Sequence, residues 1–162
     1  FRSAVGAWAG NLPARYRRAY VLWRMGQLER AEGEYREVRR RSPYYFDVNH
    51  DLARVLYEQG ALDEAGRWVA VARRINPHHV PSHDLAVTIA LDRGKLRRAE
   101  RIARASLGRS DHDARAHMML ARVRLAQRRP RQARRLLRKA RRRAGDDAAL
   151  LKEIRRLLER TR

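Results

Sequence analysis

A 34-residue period constrains this chain more than any other feature. Gly26, Gly60 and Gly94 are separated by 34 residues, and so are Leu28, Leu62 and Leu96. Ala31, Ala65, Ala99 and Ala133 keep the same step, as do Ala19, Ala53, Val87 and Ala121, and the pair Pro43 and Pro77. Five columns sharing one period describe one supersecondary unit copied along the chain. A unit this short cannot bury its apolar face alone, so it must stack on its neighbours.

Each column has a physical role. Leu28, Ala31, Tyr35 and Val38 recur at helical steps, and so do Leu62, Ala65, Val69 and Ala72. No segment sustains the alternation of a strand, so the chain reads as all-α. The small residue at Ala19, Ala53 and Ala121 lets the first helix of a unit approach the second closely. The glycine suits the left-handed turn that ends the first helix. The leucine two residues later and the alanine five residues later open the second helix and face the first. Proline closes the unit, since it cannot continue a helix interior.

The pattern Ala19, Leu22, Gly26, Leu28, Ala31, Tyr35, Val38, Pro43 resembles the tetratricopeptide repeat family. The next unit repeats it as Ala53, Leu56, Gly60, Leu62, Ala65, Val69, Ala72, Pro77. A third keeps Gly94, Leu96, Ala99 and Ala103 but has Asp111 where the closing proline would fall. A fourth keeps Ala121, Ala133, Leu137 and Ala140, with Arg128 at the glycine position and Pro130 at the leucine position. Its turn is therefore open to question, unless Pro130 occupies the first turn of a helix, where proline is tolerated. The resemblance implies a right-handed solenoid of helical hairpins. The register places the tail of a truncated upstream repeat at residues 1–11, repeats at 12–45, 46–79 and 80–113, and a degenerate repeat at 114–145. Residues 146–162 read as a capping helix, started by Asp146 or Asp147 and running to about residue 160 on a stripe of Leu150, Leu151, Ile154, Leu157 and Leu158. Projected backwards, the register puts Phe1 and Ala4 inside an earlier helix, so the natural chain is expected to extend upstream.

The resemblance also implies which face does the work. The first helix of each hairpin would line a concave groove, presenting Tyr16, Arg17, Tyr20, Trp23 and Arg24 in the first repeat. The second would present Asp47, His50, Asp51, Arg54, Tyr57 and Glu58. The third would present Asp84, Leu85, Thr88, Leu91 and Asp92, and the fourth Arg115, Met118, Met119, Arg122 and Leu125. Tyr, Trp and Arg are the residues most often found as binding hot spots. Tyr16, Arg17, Tyr20, Trp23, Arg24, His50, Arg54 and Tyr57 are therefore the candidate groove for a peptide or helix of a partner protein. The competing explanation is packing between adjacent helices, which uses the same rings. Some family members clamp a chaperone's terminal carboxylate with Lys, Asn and Arg. The corresponding positions here read Tyr16, Tyr20, Asp51, Pro81 and Leu85, so that role is not expected.

Charge adds a second candidate surface. Thirty-nine basic residues against 18 acidic ones give a net charge of +21. It is uneven, with +5 over residues 1–81, +16 over 82–162 and +14 within 114–162. Between Pro130 and Arg143 lie eight cations and no acid: Arg131, Arg134, Arg135, Arg138, Lys139, Arg141, Arg142 and Arg143. Ala133, Leu136, Leu137 and Ala140 would form the buried stripe and leave the cations exposed. Arg131, Arg134, Arg135, Arg138, Lys139 and Arg142 are the candidate anion-binding surface, for an acidic protein, an anionic membrane or nucleic-acid phosphate. The plainer explanation is a solvated helix face, although like charges at i, i+4 oppose the helix slightly. The aromatics lie in the other half of the sequence, not interleaved with the cations as a single-strand-binding platform requires.

Other chemistries find little support. The absence of cysteine excludes disulfides and thiolate metal sites. His78, His79 and His83 cluster beside Asp84, but a zinc site needs three or four converging ligands. Pro81 is expected to break the helix that would align His79 with His83, so that the next helix begins at Ser82. No phosphate loop, nucleophile elbow or catalytic cysteine is present. No apolar run approaches the ~20 residues of a membrane span. The expectation is a scaffold without enzymatic activity, cofactor or metal, an assembly, secretion or envelope-biogenesis module of a larger protein. A nucleic-acid-binding helical repeat is the alternative. Composition does not decide between cytoplasm and periplasm.

Overall fold

The computed structural model describes residues 11–45, 47–109 and 113–161. Phe1 and Ala4, assigned above to an upstream helix, and Asp111, at the third closing position, lie outside the described residues. Among the described residues the chain forms nine α-helices and no strand: α1 (Leu12–Arg24), α2 (Leu28–Arg41), α3 (Val48–Glu58), α4 (Leu62–Ile75), α5 (Val80–Asp92), α6 (Leu96–Arg109), α7 (Ala114–Ala126), α8 (Pro130–Arg143) and α9 (Ala148–Glu159).

The helices pair as consecutive hairpins within two compact units, Phe1–Pro77 and His78–Arg162. In the first unit α1 packs on α2, α2 on α3, and α3 on α4. In the second α5 packs on α6 and α7, α6 on α7, and α7 on α8, while α9 closes against α8 and α7.

The turn between the two helices of a hairpin is the same four times. Gly26, Gly60 and Gly94 adopt φ of +73°, +81° and +66°. The amide of each donates to the carbonyl three residues back, and the following amide to the carbonyl five residues before it, at 2.8–3.0 Å. This double bond satisfies carbonyls that the helix end would leave bare. Arg128 makes the fourth turn without glycine, at φ +57°, with Arg128 N–H to the Leu125 carbonyl at 2.9 Å and Arg129 N–H to the Arg124 carbonyl at 2.8 Å. Pro130 then occupies the first turn of α8. The degenerate turn thus has the geometry of its siblings, and Arg128 carries the strain.

Pro81 corrects the sequence reading. It lies in the first turn of α5, which begins at Val80 and not at Ser82. A first-turn amide has no intrahelical acceptor, so proline loses nothing there. The capping expectation resolves onto Asp147, whose Oδ1 accepts from Leu150 N–H at 2.9 Å and whose carboxyl is held below its ordinary range by that bond.

Both small-residue columns lie at full burial. Ala19, Ala53, Val87 and Ala121, and Ala31, Ala65, Ala99 and Ala133, all have 0% exposure. They let paired helices come close enough for Tyr35, Val38, Leu52 and Val69 to fill the first unit's core, and for Ile102, Leu137 and Ile154 to fill the second's. The stripe of α9 docks as its spacing requires, with Leu150, Ile154 and Leu157 buried and Leu151 and Leu158 partly so.

Candidate functional site

The candidate groove of the first unit is drawn from the first helices of its two hairpins, α1 and α3. Helical spacing puts Tyr16, Tyr20 and Trp23 on one side of α1, and side chains of α3 reach that side. The Arg54 guanidinium lies 3.7 Å from the centre of the Trp23 ring. Its Nη2 donates to Asp51 Oδ1 at 2.7 Å. The Trp23 indole donates to the Glu58 carboxylate at 2.9 Å, and the Tyr20 ring packs 5.5 Å from that of Trp23. The Tyr16 hydroxyl donates to Asp51 Oδ2, and its ring meets Tyr35 and Tyr45 edge-on. Burial, together with that bond to Asp51, pushes the Tyr16 phenol above its usual range. It remains a protonated donor.

The structure therefore gathers Tyr16, Tyr20, Trp23 and Arg54 into one connected cluster. Asp51, which is buried, and Glu58, which is exposed, accept its hydrogen bonds, and both occupy groove positions of the register. Arg17 and Arg24 are exposed on α1, with the Arg24 guanidinium 5.9 Å from the Trp23 ring centre. Tyr57 is half-buried. His50 differs from the expectation of an open groove residue. It is 6% exposed and lines a pocket of about 390 Å³ with Asp47, Asn49, Ala72, Ile75 and Asn76.

The second unit uses the same register differently. Arg122, 68 residues after Arg54, reaches from α7 to α5. Its Nη1 meets Asp84 Oδ1 and its Nη2 meets Thr88 Oγ1, both at 2.8 Å. Burial raises the Asp84 carboxyl above its ordinary range against the pull of Arg122 and Arg115. Met118 and Met119, expected on the groove, are buried at 1% and 0% exposure. Methionine is apolar and adaptable, and α7 is covered by α5, α6, α8 and α9, so these side chains pack the interior.

A polar clamp escaped the sequence reading. Glu100 on α6 accepts from Arg124 in the last turn of α7 at 3.0 Å, from Gln127 just past it at 2.7 Å, and from Arg104 on its own helix. Those bonds hold its carboxyl down at about 2. Two periods earlier Glu32 accepts from Gln59 at 2.9 Å in the same way. The signal was present as Glu32/Gln59 and Glu100/Gln127, two pairs displaced by the same 68 residues.

The candidate anion-binding surface lies on α8. Arg131, Arg134, Arg135, Arg138, Lys139 and Arg142 are all exposed, around a stripe of Ala133, Leu137 and Ala140 at 0% exposure. Three members of the wider run, Arg134, Arg138 and Arg141, line a cleft of about 390 Å³ together with Arg155, Leu158 and Glu159 of α9. Among the described residues no group of three or more His, Cys, Asp or Glu side chains is placed to hold a metal ion. His79 Nδ1 instead lies 2.7 Å from Ser82 Oγ, and His83 is buried. No described helix is long and apolar enough to cross a membrane.

Two profiles described as tetratricopeptide repeat match residues 16–80 and 90–158, which together take in most of the chain. The chain belongs to the tetratricopeptide repeat (TPR) family. Solved TPR proteins share the fold. A thermophilic TPR protein of Thermus thermophilus superposes with a TM-score of 0.78 at 22% identity, covering 98% of this chain and 87% of that one. The pilF protein of Pseudomonas aeruginosa gives 0.74 at 18% identity, covering 99% and 77%. YrrB, described as a TPR protein with an unusual peptide-binding site, gives 0.70 at 16% identity, covering 90% and 74%. At such identities the likeness concerns the fold. No curated protein matches the chain. A TPR fold supports a protein-interaction scaffold, and TPR proteins are in general not enzymes.

Proposed function

We propose that this TPR chain binds a peptide or a helix of a partner protein on the first-helix face of its first unit, over Tyr16, Arg17, Tyr20, Trp23, Arg24, Arg54 and Tyr57, with His50 at the margin. The observation that carries the reading is the Arg54 guanidinium stacked on Trp23 and fixed by Asp51. Beside it the Tyr20 ring is 42% exposed. A flat platform already held in place costs little ordering on binding, and it is built from the residue types that dominate hot spots. YrrB's described peptide-binding site is consistent with such a use of the fold. The second half of the proposal is that the α8 surface meets an acidic protein or an anionic membrane. Together these fit an assembly, secretion or envelope-biogenesis module of a larger protein.

The test is peptide display on the immobilised protein, followed by affinity measurement of the enriched peptides. Trp23→Ala and Arg54→Ala should weaken them about tenfold or more. Tyr20→Ala, at an exposed ring, should weaken them without altering the helical circular dichroism spectrum. Enriched peptides that bind all three variants as they bind the parent would refute the groove. The competing reading, nucleic acid on the α8 cations, predicts oligonucleotide binding that falls steeply with salt. No oligonucleotide binding at low salt would remove it.

A further inference from the structure

The cations of α8 are not equivalent. Arg134, Arg138 and Arg141 follow one another at i, i+4 and i+7, so they share a face, and α9 folds Arg155 towards the same space. Four arginines of this unit outside the cleft are anchored on acids: Arg122 on Asp84, Arg124 and Arg104 on Glu100, Arg115 on Asp147. Among the described residues the four arginines of the cleft have no hydrogen bond or ion pair. The last-turn position of Arg141 complements the helix dipole. Arg134 and Arg138 sit earlier in the helix, and their i, i+4 repulsion opposes it.

We infer that this cleft is a binding site for a short acidic protein segment presenting two or more clustered carboxylates. The inference rests on the acidic-partner half of the proposal above and narrows it to one place. Four guanidiniums around about 390 Å³ supply forked donors that match carboxylate geometry. The remaining lining distinguishes a peptide from other polyanions. Leu158 offers an apolar contact, and Glu159 offers an acceptor for a peptide N–H. A phosphodiester backbone has no such donor. No ring lines the cleft for a base to stack on.

The experiment compares two double variants of equal charge by fluorescence anisotropy at physiological salt. The probes are a labelled hexaglutamate peptide and a labelled hexathymidylate. Arg138→Gln with Arg155→Gln empties half the cleft, while Arg131→Gln with Arg142→Gln removes two charges of α8 outside it. All four residues are exposed, and unchanged thermal melts confirm folding. For a built site the first pair lowers hexaglutamate affinity about tenfold or more, and the second about two- to threefold. Equal losses would leave only a diffuse field and overturn the cleft, with the acidic-partner reading intact. Hexathymidylate bound more tightly than hexaglutamate, and through Arg138 and Arg155, would overturn the carboxylate assignment. Failure of the parent protein to bind either probe even at low salt would overturn the cleft and the basic-surface reading together.

Discussion

Arg128→Gly should stabilise this protein, although it removes a long side chain and adds a flexible residue. Arg128 holds φ +57° in a turn that its three siblings make with glycine. An L residue in that conformation costs about 1–2 kcal/mol. Glycine returns part of this, about 0.5–1 kcal/mol, through the greater freedom of its unfolded chain. The net gain is about 1 kcal/mol, or roughly 2–4 °C in Tm for a chain of this size. Arg128 also stands beside Arg129 and Arg131, so losing its charge could mimic the effect. Arg128→Ala separates the two, because it removes the charge and keeps the strain. The reciprocal change is Gly60→Ala. A Cβ added at Gly60 would meet nothing within 4 Å, so its cost of about 1 kcal/mol is conformational and not steric. Urea unfolding followed by circular dichroism gives the midpoints. Hydrogen exchange at the Arg129 amide, bonded to the Arg124 carbonyl, reads the turn itself, which matters because repeat arrays can unfold in parts. Arg128→Gly no more stable than Arg128→Ala, or Gly60→Ala at no cost, would mean that the turn at Arg128 carries no conformational strain.

Three further outcomes follow from the packing and the polar clamp. Glu100→Gln should cost about 1–3 kcal/mol at neutral pH, because Arg124, 7% exposed, loses its carboxylate. The Glu100 carboxyl is held at about 2 in the fold, so its contribution is complete above the ordinary carboxylate range and is lost as pH falls towards 2; acid titration of both proteins should show their stabilities converging. Ala133→Leu should destabilise by about 1–3 kcal/mol in a urea melt, since its site at 0% exposure was shaped for one methyl group. Tyr35→Phe should be neutral or stabilising by up to about 1 kcal/mol in the same melt, because the Tyr35 hydroxyl is buried without a hydrogen-bond partner among the described residues.

How much of this was legible depends on how far apart the cooperating residues stand. The hairpins, their turns and the buried alanine columns follow from spacings within one 34-residue step, where helix geometry relates position to face. Pro130 was readable as a first-turn proline. Pro81 occupies the same first-turn position, one residue after Val80 begins α5, so the start expected at Ser82 falls two residues late. In the candidate groove, the register named Trp23, Arg54, Asp51 and Glu58 without indicating that they bind one another. It also placed Met118 and Met119 on an open face, while the packing of α7 against four helices buries them.

The repeating hairpin, the positive-φ turn after Gly26, Gly60 and Gly94, the helix that Asp147 starts and the location of excess charge can all be read along the chain. These depend on residue type and on distances of a few residues along one helix. Which charges are paired with one another, and which face solvent, depends on how the helices pack. Arg54 meets Trp23 across 31 residues, and Arg155 reaches the space of Arg141 across 14. Such pairings arise when helix packing sets side chains side by side, and a period reports that helices pack without reporting which polar atoms they bring together. In the first unit that packing turns an aromatic and basic face into a self-braced platform, and in the second it leaves four arginines around an open cleft.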